Sequence, residues 1–98
     1  MQYVNVVYEY DEADVDIIRV SDEVAMNIED YVQSYFNWFC DQREYKRWLE
    51  TRDSNCVPGT DASTFVEWLN RYHSHGGDLM AIVEQHVAFK PGYPVADF

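Results

Sequence analysis

The apolar residues between Val24 and Phe39 recur with the period of an α-helix, and this pattern constrains the fold more than any other feature of the chain. Placed at about 100° per residue, residues 22–41 divide into an apolar side and an acidic, polar side. The apolar side comprises Val24, Ile28, Tyr31, Val32, Tyr35, Phe36, Trp38 and Phe39. The other side comprises Asp22, Glu23, Met26, Glu29, Asp30, Gln33, Asn37 and Asp41. We therefore predict one amphipathic helix over 22–41, with Ser21 as its N-cap.

Two segments that precede this helix are typical of β-strands. Residues 3–10 are rich in Val and Tyr, and residues 15–20 are mainly Val and Ile. The polar residues 11–14 between them predict a turn, so the two strands are expected to form an antiparallel hairpin. Its acidic end would present Glu9, Asp11, Glu12 and Asp14.

Three shorter helices are predicted in the second half of the chain. A capping-box spacing from Asp41 to Glu44 predicts a helix over 42–52, and this segment carries the basic cluster Arg43, Lys46, Arg47 and Arg52. A helix capped by Thr60 or Asp61 would continue to about His73 and end at Gly76-Gly77. The segment after Asp78 is either a fourth, short helix or a strand, and residues 90–94 interrupt regular structure before a short apolar tail.

These elements predict a single α+β domain over residues 1–98, in which an N-terminal antiparallel β-hairpin packs against three or four α-helices. The alternative is an all-helical bundle with a short N-terminal ribbon. At 47% apolar residues, the chain is too hydrophobic for intrinsic disorder.

The charge of the chain is concentrated in one stretch. Residues 9–30 hold nine carboxylates and one basic residue, Arg19, and thus net −8 of the total −11. Like charges on a folded surface repel one another, which is tolerated mainly when a basic partner or counterions offset them. The sequence pI near 4.3 argues against direct binding to nucleic acid or to anionic membranes.

The spacing of the helical acids gives this charge a geometry. Asp22 and Glu29 are seven residues apart, as are Glu23 and Asp30, so each pair would point in nearly the same direction on one helix. The four carboxylates would then follow one another at roughly the axial charge spacing of a DNA strand. The alternative is a surface that only makes the protein soluble. In that case the helix dipole explains why Asp22 and Glu23 lie at the N-terminus of the helix, but it explains the positions of Glu29 and Asp30 less well.

Motifs for catalysis, metals or cofactors are weak. Residues 11–14 spell a helicase motif without the Gly-rich phosphate loop that the motif requires, and no serine lies in a nucleophile-elbow pattern. Structural zinc sites usually have closely spaced ligand pairs, and among Cys40, Cys56 and the three histidines only His73 and His75 form one. We therefore expect no enzyme activity, no metal and no cofactor.

The compartment is predicted from two further absences. No run approaches the length of about 18 apolar residues that a membrane span needs, and residues 1–5 lack the layout of a signal peptide. A cytoplasmic protein is expected, with Cys40 and Cys56 as reduced thiols or, alternatively, as a disulfide pair.

The leading functional prediction is a non-enzymatic acidic inhibitor that occupies the basic nucleic-acid-binding groove of a partner such as a nuclease, a restriction enzyme or a CRISPR effector. The partner-binding residues would be Glu9, Asp11, Glu12, Asp14, Asp22, Glu23, Met26, Glu29 and Asp30. In size, charge and charge placement the chain resembles phage-encoded DNA-mimic proteins that block restriction, CRISPR or repair enzymes, which implies the cytoplasm of the host cell. Two alternatives are an immunity protein or antitoxin against a basic nuclease toxin, and a structural or adaptor protein that self-associates, for example as a homodimer.

Overall fold

The computed structural model describes residues 1–9, 11–41, 46–47, 50, 60–74 and 79–98. Within these residues the chain forms four strands and three continuous helices. The strands are β1 (Gln2–Tyr8), β2 (Asp11–Val20), β3 (Ala81–Val87) and β4 (Val95–Asp97). The helices are α1 (Asp22–Met26), α2 (Ile28–Cys40) and α3 (Ala62–Tyr72).

The predicted N-terminal hairpin is present, and its turn is shorter than the sequence indicates. β1 and β2 pair in antiparallel register from Gln2 opposite Val20 to Tyr8 opposite Asp11. Glu9, which follows β1, has the left-handed φ of 52° that is typical of tight hairpin turns. The prediction of a turn over 11–14 is wrong, because these residues continue β2.

The hairpin forms the centre of a four-stranded mixed sheet with the order β3-β2-β1-β4. β3 pairs antiparallel with β2, and β4 pairs parallel with β1. The α+β class is therefore confirmed and the all-helical alternative is wrong. The predicted hairpin is only part of the β structure, since two strands from the end of the chain extend it on both sides.

Of the two structures predicted for the segment after Asp78, the strand is confirmed and the helix is wrong. Leu79, Ile82, Val83 and His86 have helical spacing, but residues 81–87 pair along β2. The outer edge of β2 carries backbone N–H and C=O groups that need partners, and a strand provides them. The side chain of Ile82 packs against the main core.

The long helix predicted over 22–41 is divided at Asn27. Ser21 is its N-cap, as predicted, and the Ser21 hydroxyl accepts a hydrogen bond from the Val24 N–H at 3.3 Å. At Asn27, φ and ψ are −121° and 34°, and the Asn27 amide side chain donates to the Glu23 carbonyl at 3.0 Å. An Asn side chain that bonds the backbone in this way competes with helix continuation. A new helix, α2, starts at Ile28.

The main core lies between one face of the sheet and the helices. Val4, Val6, Ile18, Val20 and Ala96 face α1, α2 and α3 in one buried cluster. Tyr35 of α2 is fully buried, and its ring packs against the aromatic side chains Phe36, Trp38, Phe39, Phe65, Trp68 and Phe98. The third predicted helix is confirmed as α3, with Asp61 as its N-cap and the Asp61 carboxylate 2.8 Å from the Thr64 N–H.

The other face of the sheet is partly covered by residues 88–94, which connect β3 to β4. Phe89 packs against a second small core of Val7, Val15 and Ile17. Asn5 is fully buried and fastens this connection: its side chain accepts from the Lys90 N–H at 2.9 Å and donates to the carbonyls of Lys90 and Tyr93 at 3.0 and 3.4 Å. The buried amide of Asn5 therefore positions the chain that enters β4.

Several predictions fall mainly outside the described residues. In the predicted helix 42–52, Lys46, Arg47 and Glu50 are helical, and the remainder of that segment lies outside the described part of the chain. The same holds for residues 53–59, including Cys56, and for Gly76, Gly77 and Asp78. Cys40 is an exposed free thiol.

Candidate partner-binding surface

The structure separates the acidic stretch 9–30 into two regions at opposite ends of β2. Glu9, Asp11, Glu12 and Asp14 lie at the hairpin end, while the acids of α1 and α2 follow Val20. The ends of β2 pair with Tyr8 and Gln2 of β1, which are six residues apart in a strand, so they lie about 20 Å from each other. This is about half of the longest dimension of the molecule, 38 Å. The predicted site residues are all exposed and divide between these two regions.

At the hairpin end, two carboxylates of β2 are bonded to residues outside this strand. Asp16 is 8% exposed; it accepts a hydrogen bond from the Tyr8 hydroxyl at 2.8 Å and one from the His86 N–H at 3.3 Å. Asp14 lies 2.9 Å from Nδ1 of His86. The Tyr8 hydroxyl also accepts from the Ala62 N–H, at 2.7 Å. We call these five residues the Asp16 network; it joins β1, β2, β3 and the first turn of α3.

The Asp16 network shifts two pKa values. Burial raises the pKa of Tyr8 well above its ordinary value; the hydrogen bond from Ala62 opposes this shift, and the Asp16 carboxylate adds to it. The hydrogen bond to Asp14 raises the pKa of His86, and the charges of Asp14 and Asp16 support the shift. In the helical alternative for the segment after Asp78, His86 would lie on a helix face. It lies instead at an irregularity of β3 with φ of 56°, where its backbone and its ring reach different carboxylates.

At the other end of β2, the break at Asn27 changes how the helical acids are arranged relative to one another. The seven-residue register assumed one continuous helix and therefore does not describe these side chains. Glu29 and Asp30 lie in the first turn of α2, where the helix dipole favours carboxylates as it does for Asp22 and Glu23. Asp22 additionally lies 3.2 Å from the Met1 ammonium, and Tyr31 donates a hydrogen bond to Glu23, which contributes to the raised pKa of Tyr31 after burial and charge.

A groove of about 440 Å³ lies beside these acids. We call it the α2–β4 groove; its lining residues are Ala25, Met26, Asn27, Ile28, Glu29, Asp30, Pro94, Val95 and Asp97. A smaller cavity of about 230 Å³ adjoins it and shares Glu29, Val95 and Asp97. Together, the two cavities are lined by three carboxylates, Glu29, Asp30 and Asp97. Among the described residues, no Lys, Arg or His side chain lines either cavity.

Asp97 is the site residue that the sequence did not reveal. It lies in β4, opposite Val7 of β1. Its neighbour Phe98 accepts a hydrogen bond from the Glu9 N–H at 3.3 Å, so Asp97 lies close to the hairpin end as well as in the groove. The signal for a strand at this position is an alternation with a period of two residues. Ala96 is buried and Phe98 packs on the core, whereas Asp97 between them is exposed. Four residues at the end of the chain are too few for that pattern to predict a strand.

Met26 is the most exposed large apolar side chain of the described residues, at 83%. It lies at the wall of the α2–β4 groove together with Glu29 and Asp30. Methionine is flexible and polarisable, and it adapts to partners of irregular shape. Its position among carboxylates matches the sequence prediction of an apolar contact within an acidic surface, while its role in binding stays a prediction.

Two absences, of a metal site and of a membrane-spanning helix, apply to the described residues alone. No group of three or more His, Cys, Asp or Glu side chains there is arranged to hold a metal ion. None of the described helices is long and apolar enough to cross a membrane.

Comparison with protein-family models, with curated proteins and with solved structures found no match to this chain.

Proposed function

We propose that this protein is a non-enzymatic inhibitor that binds the basic nucleic-acid-binding surface of another protein, with carboxylates in the place of nucleic-acid phosphates. The α2–β4 groove is the main contact in this proposal. The acids Glu9, Asp11 and Glu12 at the hairpin end add long-range attraction.

The observation that carries the proposal is the meeting of Glu29, Asp30 and Asp97 at one groove. These residues come from elements almost seventy positions apart in the sequence, and all three are exposed. None of them forms an ion pair with a cation among the described residues. The dipole of α2 favours Glu29 and Asp30 in its first turn, and Asp97 adds a third carboxylate from a different element of the fold. Repulsion among the three carboxylates is relieved when a cationic partner binds.

The shape of the groove suits arginine and lysine side chains. Its volume of about 440 Å³ lies within the range of pockets that enclose small ligands. A guanidinium group bonds carboxylates in the fork geometry that it uses for phosphates. A protein surface that has evolved to hold phosphates therefore carries the side chains that Glu29, Asp30 and Asp97 would accept.

The hairpin end contributes differently. Asp14 is bonded to His86, and Asp16 is buried, so the other exposed acids at this end are Glu9, Asp11 and Glu12; Asp11 also accepts a local hydrogen bond from the Ala13 N–H at 3.0 Å. None of these acids lines the groove or the cavity beside it, although Glu9 lies near Asp97 because the Phe98 carbonyl accepts from the Glu9 N–H at 3.3 Å. Their expected effect is on the rate of association and on its salt dependence.

The test is capture of the partner by the tagged protein from an extract of the source cell or its host, with mass spectrometry and elution by duplex DNA. Two variants of equal charge change separate the groove from overall charge: Glu29→Lys with Asp30→Lys in the groove, and Asp11→Lys with Glu12→Lys at the hairpin end. We expect the groove variant to lose capture and the hairpin variant to retain it with slower association.

Three results would contradict the proposal. The first is a captured protein that has no affinity for nucleic acid, and the second is a captured protein that excess DNA does not displace. The third is equal capture by the groove variant and the unmodified protein. Circular dichroism of both variants establishes that loss of capture is not loss of folding.

A further inference from the structure

The strand β4 forms an edge of the sheet, and its backbone has an inner and an outer side. The Pro94 carbonyl accepts from the Asn5 N–H at 2.9 Å, and the Phe98 N–H donates to the Val7 carbonyl at 2.9 Å. Successive residues of a strand direct their backbone groups to opposite sides. The N–H and C=O groups of Val95 and Asp97 therefore point away from β1, toward the side where the described sheet has no further strand.

Open space lies along that outer side. Val95 and Asp97 line both the α2–β4 groove and the smaller cavity that adjoins it. The opposite wall of the smaller cavity is the side of α2, through Val32, Gln33 and Phe36. Within the described residues, the outer edge of β4 thus faces a cleft beneath α2.

The two edges of the sheet differ in their protection. The outer strand β3 pairs with β2 through two register irregularities, and one of them includes His86 with its left-handed φ. Irregularities of this kind discourage the addition of another strand. β4 pairs with β1 in unbroken register over its whole length. The edge that faces the acidic groove is therefore the one that is suited to accept another strand.

From the open edge and the charge beside it, we propose that β4 binds an extended basic segment of the partner as a fifth strand of the sheet. The backbone of that segment would pair with Val95 and Asp97, while its Lys or Arg side chains contact Glu29, Asp30 and Asp97. Strand addition of this type draws affinity from main-chain hydrogen bonds and specificity from the alternate side chains. This inference rests on the proposed function for the basic character of the partner and adds the conformation in which it binds.

The probe for the experiment is a synthetic heptapeptide of alternating Lys and Val residues, acetylated and amidated at its ends, at low ionic strength. Nuclear magnetic resonance of the unmodified protein reports the amide protons of Val95 and Asp97. We expect both to shift on binding and to gain protection from exchange with solvent, because each acquires an acceptor. The amide protons of Ala96 and Phe98, which belong to the β1 side, serve as the internal control.

A pair of variants isolates the backbone contribution. Val95→Pro removes an outward N–H without changing charge or the pairing of β4 with β1, and Val95→Ala is matched to it. We expect the proline variant to bind the peptide about tenfold more weakly than the alanine variant, the effect of one or two backbone hydrogen bonds. If the proline variant does not fold, the amide shifts of the unmodified protein still decide the question.

The outcomes separate this inference from the proposed function. Unshifted amides of Val95 and Asp97, equal affinities of the two Val95 variants, or no peptide binding at all would each overturn strand addition. The proposed function would still stand if Glu29→Lys with Asp30→Lys abolished capture of the partner. Conversely, if that double variant binds both peptide and partner as the unmodified protein does, the acidic groove is not the site and both proposals fail.

Discussion

Two carboxylates of β2, Asp14 and Asp16, are bonded to other parts of the molecule, whereas those along the α2–β4 groove face solvent. Asp16 is buried and accepts two hydrogen bonds, and Asp14 lies against His86. Glu29, Asp30 and Asp97 are exposed and form no ion pair within the described residues. Within the acidic stretch 9–30, Asp14 and Asp16 thus connect the strands to one another, whereas Glu29 and Asp30 stay exposed beside Asp97 of β4.

This difference shows why net charge alone is a poor guide to a binding surface. A buried carboxylate with hydrogen-bond partners contributes to stability, and its removal leaves those partners unpaired. An exposed carboxylate without a partner contributes little to stability, so an arrangement of several such groups around one groove needs another explanation. Substitutions at the two kinds of residue should therefore differ in their effect on stability.

The largest expected effect on stability concerns Asn5. Its side chain carries no charge, but it positions the chain segment that forms one side of the groove. Asn5→Ala removes three hydrogen bonds to Lys90 and Tyr93 and leaves buried backbone groups without partners. We expect a loss of about 2–4 kcal/mol in the free energy of unfolding. Urea denaturation measures it, and the exposed Asn37→Ala is a control for the loss of an amide side chain. A loss below that of the control would mean that residues 88–94 are held by other contacts.

The next effect separates a bonded acid from an exposed one. Asp16→Ala removes the acceptor of the Tyr8 hydroxyl and of the His86 N–H, and we expect a loss of about 1.5–3 kcal/mol because hydrogen bonds to charged groups are the stronger kind. Asp30→Ala, also an acid replaced by alanine, is expected to change stability by no more than about 0.5 kcal/mol. Equal losses in denaturant titrations of the two variants would remove the distinction on which the comparison rests.

A smaller effect, of opposite sign, is expected in the hairpin turn. Glu9 has φ of 52°, a left-handed conformation that Asn and Gly adopt at lower cost than Glu. Glu9→Asn is expected to raise the free energy of unfolding by about 0.5–1 kcal/mol. Thermal unfolding measures the gain, and Glu12→Asn on β2, outside the turn, is the matched control for the change of charge. A gain in the control as large as in Glu9→Asn would assign the effect to relief of charge repulsion.

The sequence predicted the elements whose signal is local. Ser21 and Asp61 cap the predicted helices, and the apolar period of residues 28–39 and 65–69 identifies core faces correctly. The same period failed to show the break at Asn27, because a single Asn in a helical pattern gives no sign that its side chain will bond the Glu23 carbonyl.

The remaining errors come from pairings that join distant parts of the chain. β3 resembles a helix in spacing and becomes a strand because β2 offers an edge. β4 has three residues, and its partner β1 lies at the other end of the sequence. The predicted site residues Glu29 and Asp30 line the groove together with Met26, but Asp97 joins them through this parallel pairing alone. No local pattern contains that information.

The smallest expected effect is the pH dependence of the bond between Asp14 and His86, both of which are exposed. The pKa of His86 is raised above its ordinary value of 6.5 by this contact. A group whose pKa is higher in the folded state stabilises the fold fully below its unfolded pKa and loses that contribution as the pH rises through its folded pKa. The stability difference between the unmodified protein and Asp14→Asn should therefore be greater at about pH 6 than at about pH 9.

Two measurements check this last prediction. The imidazole resonances of His86 should titrate with a midpoint above 6.5 in the unmodified protein, and Asp14→Asn should lower that midpoint while Asp16 maintains part of the shift. Thermal unfolding at the two pH values gives the stability difference, with Glu12→Gln as a control for the loss of an exposed carboxylate on the same strand. A difference that is equal at both pH values would show that Asp14 does not depend on the charge of His86. In that case Asp14 would join Glu9, Asp11 and Glu12 among the acids that are free for a partner, and the hairpin end would offer more charge for binding than its hydrogen bonds indicate.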